Sequence, residues 1–157
     1  MLIETNRAGV TLIELIITLS LLAIVVAMGT PRLAEALRSR TTAAAADQFV
    51  SAHSLARATA LRYGRVAQLR MDPGSGRFWV EVDTSGSGLG QRATVWHVRD
   101  LAESGVVMTS DRSLLCFDAR GLATPIGACE DGNVTVTFTL ANHADTVRSA
   151  ALGKILR

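Results

Sequence analysis

The strongest pattern of hydrophobic and polar positions lies at the start of the chain. Residues 10–30 are predominantly apolar, and a helix of about twenty residues spans roughly 30 Å, the thickness of a bilayer core. Thr11, Thr18 and Ser20 fit such a helix because their hydroxyls can bond back to helix carbonyls. The pattern predicts a transmembrane helix preceded by a short polar leader at residues 1–9.

A second helical stretch is predicted from Pro31 to Tyr63. It is rich in alanine, a strong helix former, and Gly64 supplies a plausible stop. Pro31 predicts a kink or a new first turn. We therefore expect one long helix with a membrane half at 10–30 and an amphipathic half at 31–64. The residues of its predicted apolar stripe are Leu33, Leu37, Ala44, Phe49, Val50, Leu55, Ala58 and Leu61.

After Gly64 the pattern changes to the two-residue alternation of strands. Residues 65–71 and 77–83 flank the turn sequence DPGSG and predict a hairpin, and residues 84–91 read as a Gly/Ser-rich loop. Helix and strands are segregated along the chain, which predicts an α+β fold: a long N-terminal helix packed on an antiparallel sheet at 65–157. Further strands are predicted at residues 92–98, 105–110, 113–119, 133–140 and 146–152.

Composition and candidate chemistry do not favour catalysis. The net charge of +2 is too small for a strong nucleic-acid footprint by itself. His53, His97 and His143 are far apart in sequence without metal-ligand spacing, and Cys116 and Cys129 form no C-x-x-C pair. With no Gly-rich phosphate loop and no nucleophile elbow in the sequence, we expect a protein that is not an enzyme and holds no metal or cofactor.

Glu14 does not fit a plain membrane helix, because a carboxylate at mid-membrane costs roughly 2.5–3.5 kcal/mol. Two interpretations leave it unexplained: a secretory signal peptide removed after Gly29, and a plain signal anchor. The positive-inside rule does not fix the orientation, since Arg7 precedes the helix and Arg32 follows it.

The sequence AG followed by VTLIEL, at residues 8–15, resembles the class III signal of type IV pilins and pseudopilins. The resemblance implies that a prepilin peptidase cuts between Gly9 and Val10 on the cytoplasmic side and that Val10 gains an N-methyl group. Glu14 is then the fifth residue of the mature chain, where the family carries its glutamate. Pro31 falls where many members have a helix-kinking proline. Val10 departs from the phenylalanine that is commoner there.

The surroundings expected for Glu14 in the membrane and in a filament support this interpretation. In the first turns of the helix it lies near the headgroups and the positive end of the helix dipole, and both lower its cost. In a filament a buried carboxylate needs a cationic partner, and the new amine of Val10 on a neighbouring subunit is the natural one. Our hypothesis is that Glu14 sets the register of assembly.

Three looser blocks resemble the GspH/FimT type of pseudopilin: residues 54–69, residues 116–123 with Phe117 and Gly121, and residues 146–157. The resemblance implies a type IV pilin-like fold. It also implies a minor component that primes or caps the filament of a type II secretion system or a type IV pilus.

The same resemblance implies a location and a set of partners. The location is the inner membrane, crossed once, with the C-terminal domain in the periplasm. The partners are other pilins or pseudopilins, the prepilin peptidase, and an inner-membrane assembly platform with its ATPase. The competing class is a generic membrane-anchored periplasmic binding domain.

In an oxidising periplasm Cys116 and Cys129 could form a disulfide worth roughly 3 kcal/mol for a loop of this size. The two cysteines bracket a stretch of 12 residues. Two unpaired thiols, one of them buried, are the alternative.

The C-terminal end raises an alternative function, because some FimT-type minor pilins bind DNA there through a Gly-Arg-x-Arg motif. Gly153 and Lys154 match it in part, while Leu156 replaces the second basic residue. Two interpretations of this end therefore remain: DNA binding through Arg148, Lys154 and Arg157, or a strand end that is simply solvated.

Overall fold

The computed structural model describes residues 10–85, 91–125, 127–129, 132–150 and 153–156. The chain divides into two compact units, the first ending at Leu37 and the second beginning at Arg38. The predicted leader with Gly9, positions 86–90 of the predicted loop, and Arg157 lie outside the described residues.

The first unit contains the N-terminal part of helix α1, which as a whole runs Leu12–Tyr63. Its apolar window has a mean hydropathy of 2.5 and is 0% buried, so α1 is long and apolar enough to cross a membrane. Thr18 and Ser20 donate to the carbonyls of Leu15 and Ile16 at 2.9 and 2.8 Å, which confirms the predicted back-bonding for these two, whereas the hydroxyl of Thr11 accepts from the backbone N–H of Glu14. The expected single long helix is confirmed, since α1 has 52 residues and continues through Pro31. The kink at Pro31 stays a prediction.

In the second unit, α1 buries a face of mostly small side chains, and the predicted apolar stripe is confirmed only in part. Phe49 is fully buried and the half-buried Val50 and Leu55 pack against the core, while the other residues of the stripe are exposed. Alanine offers little apolar surface, yet its small volume allows close packing of the helix. The residues of the buried face are Thr42, Ala45, Ala46, Phe49, Ala52, His53, Ala56, Thr59 and Ala60.

The helix ends where the sequence predicts. Tyr63 is its last residue, and Gly64 has a φ of 60°, the left-handed conformation that glycine adopts without steric cost at a helix C-terminus.

The strands form two antiparallel sheets rather than the single sheet expected. Sheet A has the order β3-β2-β1-β6, and β4 pairs with another part of β2. The predicted hairpin is confirmed by β1 and β2, in which Leu69 lies opposite Val80. The strands of sheet A are β1 (Ala67–Asp72), β2 (Arg77–Asp83), β3 (Arg92–Thr94), β4 (Arg99–Asp100) and β6 (Leu114–Phe117).

The strand predicted at 92–98 is interrupted. It contains β3 only, and β4 follows after four residues outside either strand. Within this interruption Trp96 packs against the core, and the guanidinium of Arg99 lies 4.4 Å from the centre of its indole ring. Packing of the indole thus coincides with the break in regular pairing along β2.

Sheet B has the order β5-β7-β8-β9. β8 begins three residues before the predicted strand at 146–152, and β9 was not predicted. The strands of sheet B are β5 (Val107–Ser110), β7 (Val134–Leu140), β8 (His143–Ser149) and β9 (Ile155–Leu156).

Phe49 of α1 connects the two sheets in the core. Its ring centre lies 5.6 Å from that of Phe78 on β2, at an interplanar angle of 74°, and 5.8 Å from that of Phe138 on β7. All three side chains are 0% exposed. One aromatic side chain of the helix therefore contacts both sheets.

Candidate functional site

Glu14 lies in the first turn of α1 and is exposed. Its backbone N–H donates to Thr11 Oγ1 at 3.3 Å. Thr11 precedes the first helical residue, so this contact is one half of a capping box, in which a threonine and a glutamate three residues later cap the helix. The T-x-x-E spacing was readable in the sequence, and sequence reasoning missed it. Glu14 therefore also contributes to the N-terminal cap of α1.

The predicted processing site is only partly described. Val10 is 71% exposed, whereas Gly9 lies outside the described residues. Cleavage between them and N-methylation of Val10 stay predictions.

A groove of about 550 Å³ opens in the second unit between α1 and the N-terminal end of β9. We call it the basic groove, because Arg57 and Lys154 line it while none of its lining residues is acidic. It brings together parts of the three sequence blocks that resemble the GspH/FimT type. Its lining residues are Val50, His53, Ser54, Arg57, Ala58, Leu61, Leu122, Gly153, Lys154 and Ile155.

Two glycines with positive φ shape this groove. A Cβ on Gly121 would lie 3.0 Å from Leu61 Cγ and 3.1 Å from Arg57 Cγ, so the absence of a side chain lets these helix residues lie over the turn. A Cβ on Gly153 would lie 3.1 Å from a ring carbon of Phe117. Glycine at these two positions thus places Arg57 and the chain leading into β9 close to the core.

His53 forms the buried floor of the groove and is 2% exposed. Its Nε2 lies 3.3 Å from the hydroxyl of Ser149 on β8, and its ring packs edge-on against Phe117 on β6, 5.0 Å between centres. Burial first, and then the positive charge of Arg57, lower the pKa of His53 to about 4. The imidazole is therefore neutral at pH 7.

Cys116 of β6 and Cys129 are joined in a disulfide, with their Cα atoms 5.8 Å apart, a usual distance for such a bond. Both side chains are buried. Gln68, which lies opposite Cys116 on β1, directs its Nε2 toward Cys129 Sγ at 3.9 Å. The bridge attaches the segment after β6, which includes the groove residue Leu122, to an edge of sheet A.

Replacing both Cys116 and Cys129 with alanine is expected to lower the free energy of unfolding by about 3 kcal/mol, because the bridge restricts the unfolded chain. Urea unfolding of the full-length protein in detergent, with and without reductant, measures the effect. Reductant should destabilise the wild type and leave the double variant unchanged. Two alkylatable thiols in the native, unreduced protein would contradict the bridge.

The residues of the predicted DNA-binding end are partly brought together. Arg148 on β8 lies opposite Leu156 on β9, and both Arg148 and Lys154 are exposed. Arg148 and Leu156 are cross-strand partners and share a face, whereas Lys154 precedes β9 and lines the basic groove with residues of α1. Arg157 lies outside the described residues.

Among the described residues, no three His, Cys, Asp or Glu side chains form a group able to hold a metal ion. The apolar N-terminal helix with Glu14 and the basic groove are the candidate functional features of the described residues.

The long apolar helix and the two antiparallel sheets define the class of a type IV pilin-like protein. The sequence matches the family described as type II transport protein GspH over residues 45–153, and the prokaryotic N-terminal methylation motif over residues 5–30. The chain belongs to the GspH family of pseudopilins. Proteins of this kind are structural subunits that assemble with other pilin-like subunits. No curated protein sequence matches it.

Similar solved structures support the fold. The minor pseudopilin EpsH of the Vibrio cholerae type 2 secretion system has a TM-score of 0.55 at 16% identity, covering 73% of this chain and 94% of EpsH. The type IV minor pilin FimU of Pseudomonas aeruginosa has a TM-score of 0.54 at 17% identity, covering 73% of this chain and 86% of FimU. At these identities the likeness concerns the fold.

Proposed function

We propose that this chain is a minor pseudopilin that enters a pilus-like filament, of a type II secretion system or a type IV pilus, and primes or caps it. The observation that carries the proposal is Glu14 in the first turn of an exposed apolar helix, inside a segment that matches the N-terminal methylation motif. Before assembly α1 anchors the chain in the inner membrane, with residues 65–157 in the periplasm. The prepilin peptidase removes residues 1–9, and Val10 is methylated.

The position of Glu14 supports a role in assembly. The carboxylate lies at the positive end of the helix dipole, which lowers its cost near the membrane surface. In a filament core it needs a cation, and the amine of Val10 from a neighbouring subunit supplies one. The assembly platform and its ATPase drive the transfer from membrane to filament.

Replacing Glu14 with alanine is expected to reduce incorporation into filaments at least tenfold, because the register contact with the neighbouring amine is lost. Quantitative immunoblotting of sheared filaments against the membrane fraction measures it, and the mass of the mature chain reports processing. Glu35→Ala is the matched control, an exposed glutamate of α1 beyond the apolar segment. Normal incorporation of a correctly processed Glu14→Ala chain would refute the role of Glu14.

A second candidate function is DNA binding at the C-terminal end, around β8 and β9. Two exposed cations favour it: Arg148 on β8 and Lys154 immediately before β9. Two cations provide a small electrostatic footprint, so the logarithm of the affinity should fall with that of the salt concentration with a slope of about −2.

A gel shift of the full-length protein with a single-stranded or duplex oligonucleotide tests this candidate. We expect weak binding at low salt. The double variant Arg148→Gln/Lys154→Gln should lose this binding, whereas Arg40→Gln, which changes an exposed arginine of α1, should retain it. Absence of a shift at low salt would eliminate DNA binding.

A further inference from the structure

The basic groove holds two cations without a matching carboxylate in the described part of the chain. Arg57 and Lys154 are both exposed, and neither takes part in the ion pairs found among the described residues. The imidazole of His53 on the groove floor is neutral at pH 7, so it adds no charge to the groove. The groove is therefore complementary to a negative charge.

The remaining walls of the groove are mostly apolar. Leu61 is 52% exposed at its edge, and the half-buried Val50, Leu122 and Ile155 complete the walls. A volume of about 550 Å³ is within the range of sites that enclose small molecules or a few side chains. Charge and apolar surface together favour a ligand that carries a carboxylate next to apolar side chains.

We propose that the basic groove is the docking site for an acidic segment of another pilin-like subunit, in which a carboxylate lies beside apolar residues. The carboxylate pairs with Arg57 and Lys154, and the apolar neighbours pack against Leu61 and Leu122. The nature of the partner rests on the proposed function, whereas the chemistry of the ligand rests on the groove alone.

The same cations are less well suited to nucleic acid. DNA affinity comes chiefly from many phosphate contacts along a basic surface, and the groove offers two cations between apolar walls. An acidic peptide can use both the cations and the apolar walls of the groove, since the burial of its apolar side chains adds to the ion pairs. An acidic peptide is therefore the ligand that the groove favours.

Lys154 makes this proposal directly testable, because it is the only lysine of the chain. A carbodiimide joins a lysine amine to a carboxylate directly, with no spacer, so bound pairs that meet are coupled preferentially. The probe is a synthetic ten-residue peptide of alternating leucine and glutamate with both termini blocked, added to the full-length protein in detergent. The glutamine version of the peptide is the control, and mass spectrometry identifies the coupled residue.

We expect coupling at Lys154, a reduction of about tenfold in Arg57→Gln, and no reduction in Arg62→Gln. Arg62 is an exposed arginine of the same helix that does not line the groove. Lys154→Arg keeps the charge and should abolish coupling while leaving peptide binding, followed by fluorescence anisotropy, within about twofold of the wild type. Both cations are exposed, so these variants should fold, and unchanged urea unfolding verifies it.

Three results would overturn the proposal. The first is no coupling of the peptide at Lys154, and the second is coupling in Arg57→Gln equal to that of the wild type. The third is that a single-stranded oligonucleotide binds over Lys154 and protects it from modification at concentrations at which the peptide does not bind. The partner is tested by the same coupling in membranes that contain the complete filament machinery. We expect Lys154 to couple to a carboxylate of a pilin-like subunit. Coupling only to a protein of another class would refute the proposed identity of the partner. The Glu14→Ala assay tests the proposed function separately from the groove. Normal incorporation of Glu14→Ala would refute the role of Glu14 without affecting the peptide result. Failure of the peptide to bind would refute the docking site without affecting the role of Glu14.

Discussion

Replacing Phe49 with alanine is expected to lower the free energy of unfolding of the second unit by about 3–5 kcal/mol, the usual cost of truncating a buried phenylalanine. The side chain is 0% exposed and contacts Phe78 of sheet A and Phe138 of sheet B. Its removal leaves a cavity where helix and both sheets meet, and the edge-to-face contact with Phe78 is lost as well.

Urea unfolding of the full-length protein in detergent measures the effect of Phe49→Ala. Both tryptophans, Trp79 and Trp96, lie in the second unit, so their fluorescence reports its unfolding. Tyr63→Ala is the matched control, because it truncates an aromatic residue of the same helix that is 51% exposed, and it should cost less than about 1 kcal/mol. Equal losses in the two variants would contradict the central position of Phe49 in the core.

Acidification is expected to destabilise the second unit by about 3 kcal/mol between pH 6.5 and pH 4 through His53 alone. In the folded protein its pKa is lowered to about 4, from 6.5, by burial and by the charge of Arg57. Above pH 6.5 the imidazole is neutral in both states, and the stability is complete. As the pH falls, the unfolded chain binds a proton that the folded chain excludes, so stability declines until the folded pKa is reached.

The groups that surround His53 make this effect specific. Arg57 is the charged neighbour on its own helix, whereas β8 contributes the hydroxyl of Ser149 and β6 the ring of Phe117. Hydrogen bonds, first from Ser75 to Asp72 and from the Ala102 backbone to Asp100, lower the pKa values of these two carboxyls. Burial raises the pKa of Asp118, but hydrogen bonds from the Leu122 backbone and from Arg120 outweigh it and lower that pKa. All three carboxyls therefore titrate below the pH range assigned to His53.

The check is the free energy of unfolding measured at several pH values between 7.5 and 4 for the wild type and two variants. His53→Gln should remove most of the slope, because glutamine does not ionise. His97→Gln, a change at an exposed histidine, should keep it. A slope that persists in His53→Gln would assign the acid sensitivity to other groups.

Local pattern predicted the elements that depend on neighbouring residues. The apolar run before Pro31, the stop at Gly64 and the hairpin around DPGSG were correct, because propensity, periodicity and turn chemistry act over a few residues. The resemblance of residues 8–15 to the prepilin signal is confirmed by the match to the N-terminal methylation motif over residues 5–30.

Long-range packing decided what the sequence left open. Alanine-rich helices offer several faces of similar hydrophobicity, so contact with the sheets selected a face in which small residues and His53 accompany Phe49, while most of the predicted leucines stay exposed. The division into two sheets depends on pairings between distant strands, such as β5 with β7. No local signal specifies such pairings.

The sequence by itself determined the membrane-type helix, its glutamate and the family, because these reside in one continuous segment and in short motifs. Only the tertiary structure produced the basic groove, since Arg57, Leu122 and Lys154 come from three separate parts of the chain. It likewise placed His53 beside Ser149, 96 positions later in the sequence. Folding creates such sites because packing, rather than sequence proximity, fixes which side chains share a low-dielectric or charged environment.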